Sequence, residues 1–192
     1  MTTNRSHFYR KSLRLSGHDY SRARYYFITI CIQNRWQRIF GNVLSGKMDH
    51  SEYGEIVLDE WNKTAILRPY VALDEFSVMP DHLRGIIRLT ECLATACRGP
   101  EKTVEKFGKP TIGTIPTIVR AFKSAISKRI HKINPEFQWH SNYYEHIIRD
   151  DKSLYFIRKY IRENPLKWHL NHEKHIDKEI ADFEMKEIKI DR

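Results

Sequence analysis

Cysteine is scarce in this sequence, and long apolar runs are missing. The 192 residues include three cysteines, Cys31, Cys92 and Cys97, and none of them forms a CxxC pair. An odd number with this spacing indicates neither a disulfide framework nor a zinc knuckle. No apolar run is long enough to cross a bilayer, and polar residues rather than a signal-peptide core follow the basic N-terminal residues. We therefore expect a cytoplasmic protein with no membrane partner.

Glycine is also sparse, at eight residues, and no glycine-rich phosphate loop follows any predicted strand. Without that loop, a doubly wound nucleotide-binding sheet is disfavoured. The first predicted strand lacks the glycine-flanked aromatic pair that RNA-recognition motifs use for base stacking, which argues against an RNA-binding domain. No local motif supports a cysteine or serine hydrolase.

Basic residues, by contrast, are abundant. Lysine and arginine total 33 against 24 acidic residues, so the formal net charge is +9. This balance favours a polyanionic partner. Residues 1–24 form a basic arm that carries Arg10, Lys11 and Arg14, and aromatic residues such as Phe8, Tyr9 and Tyr20 are interleaved in it. The arm could contact phosphates and stack on bases, or it could be a solvated terminus.

Hydrophobic periodicity predicts alternating strands and helices in one domain of residues 25–168. Strand patterns cover 25–32, 71–89 and 137–149, helical patterns cover 54–67, 114–133 and 152–168, a mobile connection covers about 93–113, and a charged extension covers 169–192. This order predicts an α+β fold, a ferredoxin-like or RRM-like antiparallel sheet with helices on one face.

The 71–89 pattern is interrupted at Met79-Pro80-Asp81. Counting by twos from Phe76 places Val78, His82 and Arg84 on one side, provided that Pro80 introduces no bulge. We therefore expect His82 and Arg84 to project together.

The predicted helix 114–133 carries a cationic side that includes Arg120, Lys123 and Lys128. Such a side could lie along a phosphate backbone, or it could be ordinary solvated surface.

In the last predicted helix, Asn164 follows Tyr160 by four residues and therefore lies on the same side. Pro165 disfavours helical geometry at the preceding residue, so we expect the helix to end at Asn164. A phenol and a carboxamide would then sit side by side at a helix end. The alternative is that Tyr160 is a boundary core residue and Asn-Pro a stop signal. His169, His172 and His175 recur nearby, but nothing completes a metal site with them, and we treat them as exposed.

Five segments follow one another in the chain in a distinctive order. They are Tyr26-Phe27-Ile28-Thr29-Ile30, Leu73-Asp74-Glu75-Phe76-Ser77-Val78-Met79-Pro80-Asp81-His82, Arg120-Ala121-Phe122-Lys123-Ser124, Asn142-Tyr143-Tyr144-Glu145-His146-Ile147-Ile148-Arg149 and Tyr160-Ile161-Arg162-Glu163-Asn164-Pro165. Taken together, they resemble the REP-associated tyrosine transposases, which are relatives of the single-tyrosine HUH transposases of the insertion-sequence 200/605 type. The resemblance extends from about Arg10 to Trp168.

The resemblance implies a protein that binds single-stranded DNA folded as imperfect hairpins and cleaves it without ATP. A tyrosine hydroxyl, here that of Tyr160, would attack the phosphodiester and form a 5′-phosphotyrosine link with release of a 3′-hydroxyl. The family holds Mg²⁺ or Mn²⁺ with two histidines and a polar residue four positions after the tyrosine. The corresponding positions here are His82, Arg84 and Asn164. Members of related families include dimers and monomers, so the resemblance leaves the oligomeric state open.

Arg84 departs from the family pattern, because a guanidinium has no lone pair for a metal. His82 and Asn164 would bind the ion weakly or not at all unless Asp81, Glu145 or His146 substitutes. Three readings stay open: Arg84 grips the scissile phosphate, the metal binds through a substitute ligand, or cleavage is lost and hairpin binding survives in a domesticated protein. Whether the chain is an enzyme therefore stays open. The predicted DNA contacts are Arg10, Lys11, Arg14, Arg84, Arg120, Lys123, Lys128, Arg149 and Lys159.

Overall fold

A computed structural model describes residues 19–90 and 113–170. Most of the predicted basic arm, the 93–113 connection and the 169–192 extension lie outside these residues. The strands are β1 (Tyr25–Cys31), β2 (Gly41–Leu44), β3 (Lys47–His50), β4 (Val71–Met79), β5 (His82–Leu89) and β6 (Tyr144–Ile148). The helices are α1 (Glu52–Ile66), α2 (Ile115–Ile130) and α3 (Asp151–Arg162), with a 3-10 turn at Arg35–Gln37. Within the described ranges, no helix has the length and apolar character needed to span a membrane.

Four strands form one antiparallel sheet in the order β4-β5-β1-β6, and β2 and β3 form a separate hairpin. β1 lies inside the sheet because its aromatic and β-branched residues can be buried on both faces. Without the β2–β3 hairpin, the order of elements is βαββαβ, and the sheet order is that of a ferredoxin-like fold. The predicted α+β class with an antiparallel sheet is confirmed.

The two faces of the sheet are covered by different helices. Alternate residues of β1, such as Tyr26 and Ile28, pack with α1 and α2 in the larger hydrophobic core. Phe27 points to the other side and packs with Ile86 and with Leu154 and Ile161 of α3. The expectation of helices on one face holds for α1 and α2, whereas α3 covers the opposite face. We call that opposite surface the tyrosine face, because Tyr160 contacts Phe27 there.

Residues 71–89 were predicted as one strand, and that prediction was wrong: they form a tight hairpin of two strands, β4 and β5. Met79 pairs with His82 across Pro80 and Asp81, and the chain reverses direction at that turn. His82 and Arg84 do share one side of β5, as expected, because both belong to the same strand. Val78 does not join them, since it pairs with Leu83 and packs in the larger core.

Three further boundaries differ from the sequence predictions. The β2–β3 hairpin was not among the strands predicted from the sequence. The predicted strand 137–149 shortens to β6, and its first half contributes a single bridge between Trp139 and Ile32. The last helix does not stop at Asn164: α3 ends at Arg162, and residues 164–170 are again helical. Pro165 lies in the first turn of this second segment, where a proline removes no needed hydrogen bond.

Candidate active site

Helix α3 is fixed to the tyrosine face by its cap, its apolar stripe and one ion pair. Asp150 caps the helix by accepting a hydrogen bond from the backbone N–H of Ser153, 2.7 Å away. Arg158 donates two hydrogen bonds, of 2.8 and 2.5 Å, to the carboxylate of Asp74 on β4. Paired donors of this kind define direction as well as distance. The side chain of Tyr160, two residues further on, is thereby held over the sheet.

Tyr160 is partly exposed, with 37% of its surface accessible. Its ring lies edge-on to Phe27 at a centroid distance of 6.3 Å. Two cations face the ring: the guanidinium of Arg84 at 4.7 Å from the centroid and the ammonium of Lys167 at 5.7 Å. The phenol is therefore accessible from solvent in a positively charged setting, which suits an approaching phosphate.

Arg84 connects the tyrosine to the carboxamide that follows it in the chain. Its Nη1 donates a hydrogen bond to Oδ1 of Asn164 at 2.7 Å. Asn164 is buried, and its Nδ2 has no hydrogen-bond partner among the described residues. The side-chain oxygen of Asn164 is thus turned towards a fixed organic cation.

His82 is buried at the start of β5, with 2% of its surface exposed. Its Nδ1 lies 2.5 Å from Oδ1 of Asp81, and Arg35 donates to the other oxygen of that carboxylate at 2.6 Å. Burial lowers the pKa of His82, against the opposing effect of Asp81. Burial works to raise the pKa of Asp81, but the hydrogen bonds and charges of His82 and Arg35 outweigh it and hold that pKa below its usual range.

This arrangement leaves His82 neutral, with its proton on Nδ1 and directed to the carboxylate. The Nε2 atom then carries a lone pair, and no described residue donates a hydrogen bond to it. Carboxylate support of this kind orients histidines that bind metals. His82 alone therefore has the geometry of a ligand.

The complete set of side chains does not fit Mg²⁺ or Mn²⁺. Arg84 occupies the second histidine position and bonds the only oxygen of Asn164. Within residues 19–90 and 113–170, no group of three or more histidine, cysteine, aspartate or glutamate side chains could hold an ion. The partly buried guanidinium of Arg84 beside the remaining ligands opposes a second positive charge.

The substitute ligands considered from the sequence do not complete the site. Asp81 already pairs with His82 and Arg35. Glu145 pairs with Ile28, whose side chain points to the face covered by α1 and α2, so Glu145 lies on the wrong side of the sheet. His146 pairs with Phe27 and does share the tyrosine face, but it is an exposed residue on the edge strand β6.

The predicted DNA contacts separate into two surfaces. Arg120 and Lys128 are exposed on α2, on the side of the sheet opposite to Tyr160. Lys123 donates to the backbone carbonyls of His140 and Asn142 at 2.8 and 3.1 Å, and burial lowers its pKa to about 8. The Lys123 ammonium therefore fixes the backbone of the segment that contains His140 and Asn142 to α2.

Among the remaining predicted contacts, Arg149 and Lys159 are exposed, the first just before α3 and the second on it. Arg10, Lys11 and Arg14 lie outside the described residues.

Sequence reasoning missed three side chains of this site. Arg35, which holds Asp81, lies 46 residues away in sequence, and no local pattern links the two. Lys167 and Trp168 were missed because the helix was expected to end at Asn164. Trp168 lies 5.9 Å from His82, measured between ring centroids. A helical reading through Pro165 would have placed Lys167 seven residues after Tyr160, on the same side.

Comparison with known proteins gives one sequence relative and a structural match. No model of a protein family matches the chain. An uncharacterised protein of Haemophilus influenzae is 38% identical over 173 residues, which cover 88% of this chain and 96% of that protein. The structure of a REP-associated tyrosine transposase bound to a REP hairpin matches with a TM-score of 0.51 and 19% identity, over 76% of this chain and 68% of that one. The chain therefore belongs to the family of the Haemophilus influenzae protein, and its fold is that of the REP-associated tyrosine transposase.

Proposed function

We propose that the chain is a transposase-like protein that binds single-stranded DNA folded as a hairpin, with one phosphate seated between Arg84 and Tyr160. The observation that carries this proposal is the position of Arg84, which bonds Asn164 and lies over the ring of Tyr160. The matched transposase structure contains a REP hairpin, and the same fold supports a hairpin ligand here.

The chemistry of a guanidinium suits phosphate binding. Its planar donors match two phosphate oxygens, and its charge is permanent at any physiological pH. Only one donor of Arg84 is engaged by Asn164, so others are available to a ligand. A fixed cation cannot act as a movable Lewis acid, and we propose that Mg²⁺- or Mn²⁺-dependent cleavage has been lost while hairpin binding is retained.

Charge on both faces supports a nucleic acid as the ligand. On the tyrosine face, Arg84, Arg149 and Lys159 would contact the segment that passes the active site. Arg120 and Lys128 on α2 would contact the duplex stem, because they lie on the opposite side of the sheet. Arg10, Lys11 and Arg14 of the arm complete the proposed contacts. Each contact releases counterions, so affinity should fall steeply with salt.

A second candidate function is strand transfer without a metal, and the accessible phenol beside Arg84 favours it. The Oη atom of Tyr160 would attack phosphorus, the bond from phosphorus to the 3′-oxygen would break, and the phenolic proton would pass to solvent while the 3′-oxygen gains one. Arg84 would stabilise the charge that develops on the phosphate oxygens.

The binding proposal is tested with a labelled imperfect hairpin oligonucleotide in EDTA, by fluorescence anisotropy over a range of salt concentrations. We expect the hairpin to bind more tightly than a fully paired duplex of the same length. Arg84→Gln should weaken binding about tenfold or more, as expected for a charge-assisted contact.

The matched control is Arg68→Gln, just after α1, where the side chain donates, among the described residues, only to the Thr64 carbonyl at 3.5 Å. This variant should bind like the wild type. Equal affinities of the wild type for hairpin and duplex, or equal losses in both variants, would contradict the proposal.

A further inference from the structure

The outer side of α3 carries alternating lysine and aromatic side chains. Lys152, Tyr155, Phe156, Lys159 and Tyr160 recur at intervals of three and four residues and therefore form one stripe along the helix. We call these five residues the outer stripe. Its first four members point away from the buried positions Leu154 and Ile161, which hold α3 to the sheet. Tyr160 lies at the edge of the stripe, where its ring contacts Phe27.

Two adjacent rings in this stripe are unusually exposed. Tyr155 is 58% and Phe156 is 55% exposed, and their ring centroids lie 5.5 Å apart in an edge-to-face arrangement. Neither residue packs in the small core beneath α3. Apolar rings that contribute nothing to the core and lie together on a surface indicate a binding function.

The lysines define the kind of partner that fits. Lys152 lies one turn before the two rings and Lys159 lies one turn after them, and both are exposed. Lys159 approaches Glu163 only at 3.7 Å, an exposed pair that leaves its charge available. Rings between two cations suit a ligand with apolar faces and negative charges at regular intervals, which describes single-stranded nucleic acid.

The outer stripe is continuous with the site already described. Phe156 precedes Tyr160 by one helical turn, about 6 Å along the axis. Beneath them, Phe27 contacts the ring of Tyr160 at 6.3 Å and the ring of Tyr144 at 6.5 Å, and Tyr144 is itself 58% exposed. The aromatic surface thus leads to the phenol without a break.

We propose that the outer stripe is a stacking platform for the single-stranded segment of DNA that enters the Arg84–Tyr160 site. Bases stack on Tyr155 and Phe156, and the phosphates on either side meet Lys152 and Lys159. The inference rests on the proposed hairpin binding. It adds that α3 contacts the single-stranded segment of the DNA. Stacking is tolerant of sequence, so the platform sets the path of the strand rather than its sequence.

The test compares two oligonucleotides with the same hairpin and a single-stranded extension, one with normal nucleotides and one with abasic sites in the extension. We expect the double variant Tyr155→Ala/Phe156→Ala to bind the normal oligonucleotide about tenfold more weakly than the wild type, because each stacked base contributes measurably. On the abasic oligonucleotide, the wild type and the variant should bind equally. A 2-aminopurine in the extension should be quenched by the wild type and not by the variant.

The control variant is Ile66→Ala/Leu67→Ala, which removes two exposed apolar side chains at the end of α1. Those residues have no free lysine one turn before them, because Lys63 bonds Asp59 and Glu60. This variant should bind both oligonucleotides like the wild type. Thermal unfolding of each variant establishes that the fold is intact.

Four outcomes would overturn the platform. If the wild type and Tyr155→Ala/Phe156→Ala bind both oligonucleotides equally well, the proposal of hairpin binding is retained and the proposal of a stacking platform is rejected. If Tyr155→Leu/Phe156→Leu keeps full affinity, or if removal of the rings converts a dimer to a monomer in sedimentation, the stripe is an apolar contact and not a stacking surface. If the wild type binds no hairpin, the proposed function and the platform fail together.

Discussion

Arg84 and Asn164 are 80 residues apart in the chain and are joined by a hydrogen bond of 2.7 Å on the tyrosine face. The donor is a permanent cation, and the acceptor is the oxygen that a metal would need. The same guanidinium lies 4.7 Å from the centre of the Tyr160 ring. One side chain therefore contacts both the carboxamide of Asn164 and the accessible ring of Tyr160.

Replacing Arg84 by histidine should create a divalent metal site. The new imidazole would share one side of β5 with His82, and the oxygen of Asn164 would lose its present donor. We expect Arg84→His to bind Mn²⁺ measurably in isothermal titration calorimetry, whereas the wild type and Arg84→Gln do not. Arg84→Gln is the matched control, since it removes the cation without adding an imidazole. Equal Mn²⁺ binding by all three proteins would contradict the inference that Arg84 prevents metal binding at this site.

A variant with a divalent metal site should also form covalent adducts with DNA. With a hairpin oligonucleotide and Mn²⁺, we expect Arg84→His to form a denaturation-resistant protein–DNA adduct on a gel, and Arg84→His/Tyr160→Phe to form none. Loss of the adduct with the hydroxyl alone would identify Tyr160 as the nucleophile, because the ring remains. The wild type should give no adduct with or without metal. A wild-type adduct in EDTA would instead establish the strand-transfer alternative.

Lys123 should titrate far below an ordinary lysine. Burial lowers its pKa from 10.5 to about 8, so between these values the folded protein has released a proton that the unfolded chain retains. Stability should therefore rise with pH over this range, and the gain should be lost as the pH falls through 8. We expect this rise to be smaller in Lys123→Met, as measured by urea unfolding at several pH values. A side-chain NMR titration of Lys123 with a midpoint near 10.5 would refute the expectation.

Gly85 should tolerate no side chain. A methyl group there would lie 2.6 Å from the ring of Trp61 and 2.9 Å from Phe76, and those two rings are stacked at 4.2 Å. We expect Gly85→Ala to reduce the free energy of unfolding by about 1–3 kcal/mol, because a well-packed core resists added volume. Ser124→Ala, at an exposed position of α2, should change it by less than about 0.5 kcal/mol. Equal stabilities of the two variants in chemical denaturation would show that the ring pair can move aside.

Much of the fold follows from periodicity in the sequence. The β-branched and aromatic run that became β1 (Tyr25–Cys31) and the apolar stripe that became α2 (Ile115–Ile130) were predicted within a few residues. The Pro80-Asp81 turn was misread because both arms of the hairpin alternate, and the shift in phase between them is hidden in the sequence. Met79 pairs with His82, so Val78 shares a side with Leu83 rather than with His82. The second helical segment, which starts at residue 164, was missed because Pro165 was read only as a residue that ends a helix. Proline is equally compatible with the first turn of a new helix.

The candidate site was predictable in its parts and not in its assembly. Strand period placed His82 and Arg84 on one side, and helix period placed Tyr160 beside Asn164. No local rule predicts that Arg84 of β5 would bond Asn164, which follows α3, or that Arg35 would bond Asp81. Those contacts depend on how α3 and the turn after β1 are packed, which is a property of the whole domain.

The most direct measurement is a crystal structure of the chain with a hairpin oligonucleotide, grown with Mn²⁺ and recorded at the manganese absorption edge. We expect a DNA phosphate within hydrogen-bond distance of the Arg84 guanidinium, next to Tyr160, and no anomalous peak between His82 and Asn164. A manganese ion bound to His82 and Asn164, with Arg84 turned away from both, would contradict the proposal that Arg84 binds the phosphate.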